Sequence, residues 1–401
     1  MNEAASAKLT TWVAEAGLAG LSELEILAGF SDRLAAAGIP ISRSLIVVDT
    51  LHPIVEGHVF RWRRDGQEIA SEAYGRDYDA EAWARSPFFH LSQSQAHSLR
   101  RRLTAEAAAE FSFLNEFIAT GHTDYVAVID RFGKGDVFGA LDCVYSSWMT
   151  AAPDGFKDSE VAAIERLSPL LALAIKSLSL ARISRTLVET YLGRATGRRV
   201  LDGRIVRGHA DRIEAVLWFS DLRGYTRISD TSEPEQIIPF LNDYADSIVT
   251  AIHENGGEVL KFIGDGVLAV FPAEPAKPGC ESAVAAAKTA RLSIADLNAR
   301  RRADGLPATD MYLGLHLGSA FYGNIGSTDR LDFTVVGPAV NEVSRVAAMA
   351  RSVDQPVLMS AAFAGTIDPG GKRFVSVGRY ALRGVGRPQE LYTLDPDVDG
   401  L

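Results

Sequence analysis

Apolar positions along the chain switch between a helical period and a strand-like one, and the switches mark its parts. Over the first 30 residues Leu9, Trp12, Val13, Leu18, Leu21, Leu24 and Leu27 fall at loosely helical spacings. Strand-like runs follow at 44–51 (SLIVVDTL) and 58–64 (HVFRWRR). A basic, Ala-rich stretch over about 98–120 predicts a helix. Two more strands, 124–132 (DYVAVIDRF) and 137–146 (VFGALDCVYS), flank a Gly133-Lys134-Gly135 turn. After Pro153-Asp154-Gly155 a long helix is predicted, capped by Asp158 or Ser159 and running with breaks to about Leu192. On it Ile164, Leu167, Leu171, Ala174, Leu178 and Ala181 alternate spacings of three and four. That stripe suits either a parallel coiled-coil seam or packing on its own domain, and Pro169 interrupts it. Gly193, Gly197 and the turn-rich Leu201-Asp202-Gly203 then mark a boundary, so the chain divides into 1–155, a helical connector 156–200, and 201–401.

Composition narrows the class. A length of 401 residues implies two or three domains at about 100–200 residues each. With 47% hydrophobic residues the chain has enough apolar surface to fold. The 41 Lys+Arg against 51 Asp+Glu leave a net charge of −10, which argues against a nucleic-acid binder or a coat for anionic membranes, but not against one small anionic ligand. Two distant cysteines, Cys143 and Cys280, make neither a disulfide framework nor a thiolate zinc site. The N-terminus lacks a basic segment followed by an apolar run, and the most apolar stretch, Leu167–Leu180, is too short to span a bilayer. A soluble cytoplasmic protein with no membrane span is expected.

Three segments carry candidate chemistry. The apolar run Ala215–Phe219 reads as a buried strand ending in Ser220-Asp221-Leu222-Arg223-Gly224-Tyr225-Thr226, which places a carboxylate at a strand end before a glycine turn and a helix. In Glu258–Phe271 two apolar strands flank Gly264-Asp265-Gly266, a hairpin signal with Asp265 at the tip and Lys261 four residues upstream. Each Asp alone reads as a cap or a turn residue; as a pair at the ends of buried strands they suit one or two hard cations. In Leu331–Arg345 a strand runs into Gly337-Pro338, where Pro suits a helix start. Asn341 and Arg345 then lie four apart on one face of that helix, an amide and a guanidinium suited to a sugar and a phosphate.

In this order, FSDLRGYT, LKFIGDGVLAVF and FTVVGPAVNEVSR resemble the catalytic domain of class III adenylyl/guanylyl cyclases, over about Arg212–Leu394. The resemblance implies an α+β fold with a ferredoxin-like βαββαβ palm, working as a homodimer whose shared active sites lie at the interface. It implies that Asp221 and Asp265 bind two divalent cations, Mg²⁺ or Mn²⁺. Lys261 falls where the family contacts the purine edge, Asn341 where it orients the ribose, and Arg345 where it stabilises charge at the reacting phosphate. Arg383, in Leu382-Arg383-Gly384, aligns with a basic residue that holds the terminal phosphate. Many adenylyl cyclases carry Asp as the second purine-reading residue, whereas Thr334 stands here. This resembles the Thr-containing subclass, in which bicarbonate sensitivity occurs.

A hydroxyl accepts a hydrogen bond from the adenine amino group, and Lys261 donates to a ring acceptor of adenine but not to the protonated ring nitrogen of guanine. ATP is therefore the expected substrate, converted to 3′,5′-cyclic AMP and pyrophosphate. The alternatives are a guanylate cyclase, disfavoured by Lys261, and an inert nucleotide-binding or scaffolding module, disfavoured by the presence of both Asp and the Asn/Arg pair. Gly256-Gly257-Glu258-Val259 is only superficially like the turn of diguanylate cyclases. His316 reads as structural. The strand-rich first part, ending in a long helix, resembles GAF-like or PAS-like sensory modules in architecture. That predicts a regulatory domain answering to an unknown small molecule or protein. His52, His58, His90, His97 and His122 show no metal spacing, and Arg100-Arg101-Arg102 reads as a docking patch or a solvated helix face.

Overall fold

The structure, a computed structural model, describes residues 1–66, 69–75, 79–133, 139 and 141–395. Its contacts divide the chain into two units, Met1–Leu187 and Val188–Leu401, each described by itself.

The first unit opens with α1 (Glu3–Leu18) and α2 (Glu23–Ala36), separated by a turn after which Ser22 and Glu25 cap α2 reciprocally. Strands β1 (Arg43–Asp49), β2 (Val55–Arg63) and β3 (Ile69–Gly75) follow, then short helices α3 (Ala80–Ala84) and α4 (Pro87–Gln93). After β4 (Ser98–Arg102) come α5 (Ala105–Glu110) and α6 (Leu114–Ala119), then β5 (Asp124–Arg131), β6 (Cys143–Thr150) and the long α7 (Asp158–Leu192). The strands form one antiparallel sheet in the order β3-β2-β1-β6-β5-β4. Alternation sends Ile46, Val48, Phe60, Val126 and Trp148 to a face under α1, α2 and α7. It sends Val47, Tyr125, Ala127, Tyr145 and Met149 to the opposite face, under α4–α6.

Three expectations need correction or completion. The stretch 98–120 is a strand and two short helices, not one helix. Arg100 and Arg102 sit two apart on β4, on one face, beside β5, and converge on Asp124, whose side chain is fully buried. Arg100 also pairs with Asp158 at 2.7 Å, and Arg101 with Glu110 at 2.7 Å, so the run is neither a free patch nor a helix face. Ion pairing to Asp124 accompanies the strand over Ser98–Arg102, and the helical preference of the alanines is confined to α5. Secondly, α7 begins at Asp158 and neither Asp158 nor Ser159 caps it; the Glu160 carboxylate instead accepts from Lys157 N–H at 2.8 Å. It continues through Pro169; the Glu165 carbonyl that the imide nitrogen leaves lies 3.3 Å from the Ser168 hydroxyl, which is also 3.4 Å from Asp130 Oδ1. Thirdly, Ile164, Leu167 and Leu171 are buried in the unit's own core, with Ala174 and Leu178 packed against it, while Ala181 is exposed. Lys134 and Gly135 of the expected turn and the start of the 137–146 strand lie outside the described residues.

Removing the Asp124 carboxylate leaves Arg100 without its buried partner. Asp124→Ala is expected to destabilise the first unit by about 3–5 kcal/mol, read as a fall in its urea midpoint.

The second unit starts with α8 (Arg194–Leu201), β7 (Ala210–Leu222), α9 (Tyr225–Thr231), α10 (Pro234–Glu254), the hairpin β8 (Glu258–Ile263) and β9 (Gly266–Pro272), and α11 (Ala276–Ala303). The long β10 (Met311–Gly326), β11 (Leu331–Val336) and α12 (Pro338–Ser352) follow, then β12 (Val357–Ser360), α13 (Ala361–Ile367), β13 (Phe374–Tyr380) and β14 (Gln389–Leu394). The sheet runs β13-β14-β12-β10-β7-β9-β8, and β11 folds back on β10. Its centre, β10-β7-β9-β8, is antiparallel, with α10 and α11 as the two crossings. This is the expected βαββαβ palm in a mixed α+β fold. Val216, Trp218, Ala269, Phe271 and Leu313 pack under α10 and α11. Ala215, Leu217, Leu268 and Val270 face the other way, toward β11 and α12. Among the described residues no helix is long and apolar enough to cross a membrane.

Candidate active site

The same alternation positions the first carboxylate. Leu222 and Trp218 face the α10/α11 core, so Leu217, Phe219 and Asp221 face the side of α12. The hairpin brings in the second. Gly264 turns the chain at φ +63°, and Gly266 lies so close to the end of β7 that a Cβ there would sit 2.8 Å from the Ser220 carbonyl oxygen. Asp265, held between them, accepts from Leu222 N–H at 3.1 Å through Oδ2. Asp221 and Asp265 therefore lie side by side. Burial, together with the neighbouring Asp265, pushes the Asp221 pKa up to about 6. The Arg351 guanidinium, from the last turn of α12, pairs with Asp221 and opposes that shift.

Two carboxylates held together against their own repulsion are a hard-oxygen donor set. They suit a small divalent cation, which takes one or two carboxylates and completes its octahedron with water and substrate phosphate. Among the described residues no group of three or more His, Cys, Asp or Glu converges to hold a metal without a substrate.

Lys261 projects from β8 and pairs with Asp332 of β11. Thr334 is buried on β11, two residues beyond Asp332 and on the same face of the strand, opposite Gly323 of β10. Asn341 and Arg345 are exposed on α12. That helix lies tight on the sheet: a Cβ at Gly314 of β10 would meet Ala347 N at 2.6 Å. Arg351 marks where α12 reaches Asp221, and Asn341 stands ten residues earlier, about 15 Å back along the axis. Arg383 is exposed in the loop after β13. One chain thus brings together Asp221 with Asp265, and Lys261 with the strand bearing Thr334, but leaves the Asn341 amide well away from the carboxylate pair. Around this face Phe262, Ile263, Phe321, Ile325, Leu331 and Val336 are exposed apolar side chains.

Sequence reasoning gave Arg351 and Asp332 no part. Asp332 was findable, since strand periodicity places it beside Thr334; Arg351 was not, because only the docking of α12 on β10 brings it to Asp221. Glu258, of the Gly256-Gly257 run, holds α8 instead: its Oε1 accepts from Thr196 N–H at 2.8 Å.

His316 is structural. It is 7% exposed on β10, with Nδ1 2.9 Å from Ser360 Oγ and Nε2 3.6 Å from Glu342 of α12. Burial pushes its pKa down from 6.5 to about 4. The unfolded chain therefore takes up the proton first, so the stability contributed by neutral His316 is complete above pH 6.5 and lost as the pH falls towards 4. Wild type is expected to lose up to about 3 kcal/mol more than His316→Gln over that window, measured by denaturant melts at each pH.

Residues 209–396 match the family described as the adenylate and guanylate cyclase catalytic domain. This segment of the chain belongs to that family. An adenylate cyclase of Anabaena cylindrica is 34% identical over 157 residues, covering 38% of this chain and 30% of that one. Adenylate cyclase 1 of Rhizobium meliloti is 32% identical over 152 residues, covering 38% and 23%. Among solved structures, the adenylyl cyclase CyaB of P. aeruginosa is 27% identical with a TM-score of 0.43, covering 47% of this chain and 96% of that one. The matched part of the chain thus corresponds to under a third of the length of either curated relative.

Proposed function

We propose that the chain is an adenylate cyclase, converting ATP to 3′,5′-cyclic AMP and pyrophosphate. The observation that carries this is the paired Asp221 and Asp265 at the end of β7, within a segment of the cyclase family. Those two carboxylates would hold Mg²⁺ or Mn²⁺, which when bound supplies Lewis-acid activation of the 3′-hydroxyl and charge neutralisation at the phosphates. The bond that forms joins the ribose 3′-oxygen to the α-phosphorus; the one that breaks releases pyrophosphate, and the hydroxyl proton passes to solvent. Asn341 orients the ribose for in-line attack, and Arg345 meets the charge that grows on the phosphoryl oxygens. Arg383 grips the terminal phosphate. Lys261 donates to the unprotonated ring nitrogen of adenine, and the Thr334 hydroxyl accepts from its amino group.

The same geometry supports a homodimer. Asn341 stands about 15 Å along α12 from the Asp221 contact, so one chain does not assemble the full set. The exposed apolar side chains on β8, β10 and β11 border Lys261 and Asp332, and a second copy would cover them. The first unit is assigned a regulatory part as a GAF-like or PAS-like sensor. Purified protein with Mn²⁺, assayed with ATP and GTP in parallel, tests the proposal. Cyclic AMP is expected, with ATP faster than GTP. No product from ATP sinks the enzyme reading, and a faster rate with GTP sinks the roles of Lys261 and Thr334.

A further inference from the structure

Two strands of the second unit that are not neighbours in its sheet are joined by charge. Strand β8 ends the sheet, and β11 lies back on β10, with β9 and β7 between them. Lys261 of β8 nevertheless pairs with Asp332 of β11. The backbone is anchored on both sides, because Leu260 and Phe333, the residues next to the pair, are buried in one cluster with Tyr322 and Val335. Asp332 shares its face of β11 with Thr334, and the register sets Asp332 opposite Ile325 and Thr334 opposite Gly323 of β10. More than half of the Asp332 side chain is exposed, against less than a third of that of Lys261.

A lysine ammonium rides on a flexible four-carbon stem, so an anchored backbone does not by itself fix where Nζ stands. A carboxylate on the strand that bears Thr334 does. Pairing takes one of the three ammonium donors and leaves two for a substrate. An ionised Asp332 only accepts, so it has nothing to give the acceptor ring nitrogen of adenine, and its effect on that nitrogen passes through Lys261. Fixing the ammonium before the substrate arrives removes part of the ordering cost of binding. An ion pair this exposed adds little to stability, so the fold survives without it.

We propose that Asp332 is a positioning residue for purine recognition: held against it, the Lys261 ammonium directs a remaining N–H at the ring nitrogen N1 of adenine, beside the Thr334 hydroxyl. In guanine that nitrogen carries a proton, so the same fixed donor meets another donor. The pair, rather than Lys261 alone, sets the preference for adenine. The choice of an adenine nucleotide rests on the cyclase reading, but its binding is measured without turnover.

The test is calorimetric titration of the full chain, in the presence of Mn²⁺, with 3′-deoxy-ATP and with its 1-deaza analogue. Neither has the 3′-hydroxyl that cyclisation needs, and the analogue carries a C–H in place of N1. Wild type is expected to prefer 3′-deoxy-ATP by about tenfold. In Asp332→Ala that preference should fall to about twofold, with Asp332→Asn between the two. The negative charge removed acts alike on both triphosphates and cancels in the ratio, and a general loosening of the site would weaken both equally. Three results overturn the proposal: no binding of 3′-deoxy-ATP, no preference over the 1-deaza analogue in wild type, or a preference unchanged in both Asp332 variants. Cyclisation of ATP is assayed separately. A preference lost in the variants without any turnover in wild type would sink the cyclase reading and keep the role of Asp332; turnover with the preference unchanged would do the reverse.

Discussion

Asp265→Ala is expected to lower cyclic AMP formation by about a thousandfold or more while the protein stays folded. Asp265 sits at a hairpin tip and accepts a backbone hydrogen bond from Leu222 N–H, so its loss costs the fold only about 1–2 kcal/mol. The damage falls on the charge of the pair. Asp221 would keep only Arg351 beside it, and a lone carboxylate already matched by a guanidinium has little attraction left for a divalent cation. Asp265→Asn separates charge from shape. The amide keeps an oxygen for Leu222 N–H but not the negative charge, and it should lose nearly as much activity as the alanine. The measurements are kcat/KM with ATP and a thermal melt of each variant. Activity within tenfold of wild type in either would remove the carboxylate pair from the chemistry.

Mixing two inactive variants is expected to restore turnover. If Asp221 and Asp265 serve a site completed by Asn341 and Arg345 of a second copy, Asp265→Ala and Arg345→Ala each disable both sites of their own homodimer. In a mixed dimer one site collects both lesions and the other collects none. With random exchange half the dimers are mixed, so an equimolar mixture should recover about a quarter of wild-type activity from a background near zero. Recovery should fall on dilution below the dimer's dissociation constant. A mixture no more active than its components would mean that the sites are not shared.

Much of the site was legible in the sequence because each part is a local event. An apolar run with an Asp at its end, a Gly-Asp-Gly turn between two apolar strands, and a Pro-initiated helix with Asn and Arg four apart each need only backbone preference and side-chain period. The structure places all three elements as read, in β7, the β8–β9 hairpin and α12. Illegible parts depended on partners distant in sequence or on a side chain's rotamer. The 98–120 stretch has the composition of a helix, yet Arg100 and Arg102 are drawn into a strand beside buried Asp124. Pro169 reads as a break, yet the helix continues through it, packed against the first unit's core, with the Ser168 hydroxyl beside the Glu165 carbonyl. Arg351 belongs to no motif and becomes relevant only through the angle at which α12 crosses the sheet.

The acidic, apolar-rich chain determined by itself that two globular parts would form, which of its carboxylates would end buried strands, and which family the second part resembles. The first two are matters of composition, period and turn chemistry; the resemblance rests on three motifs that match a known family. Only the tertiary structure decided that Asp221 and Asp265 lie together while Asn341 stands apart on the same chain. Only it set Asp332 against Lys261. Distances between side chains remote in sequence are set by how sheets and helices pack, and no local pattern encodes them.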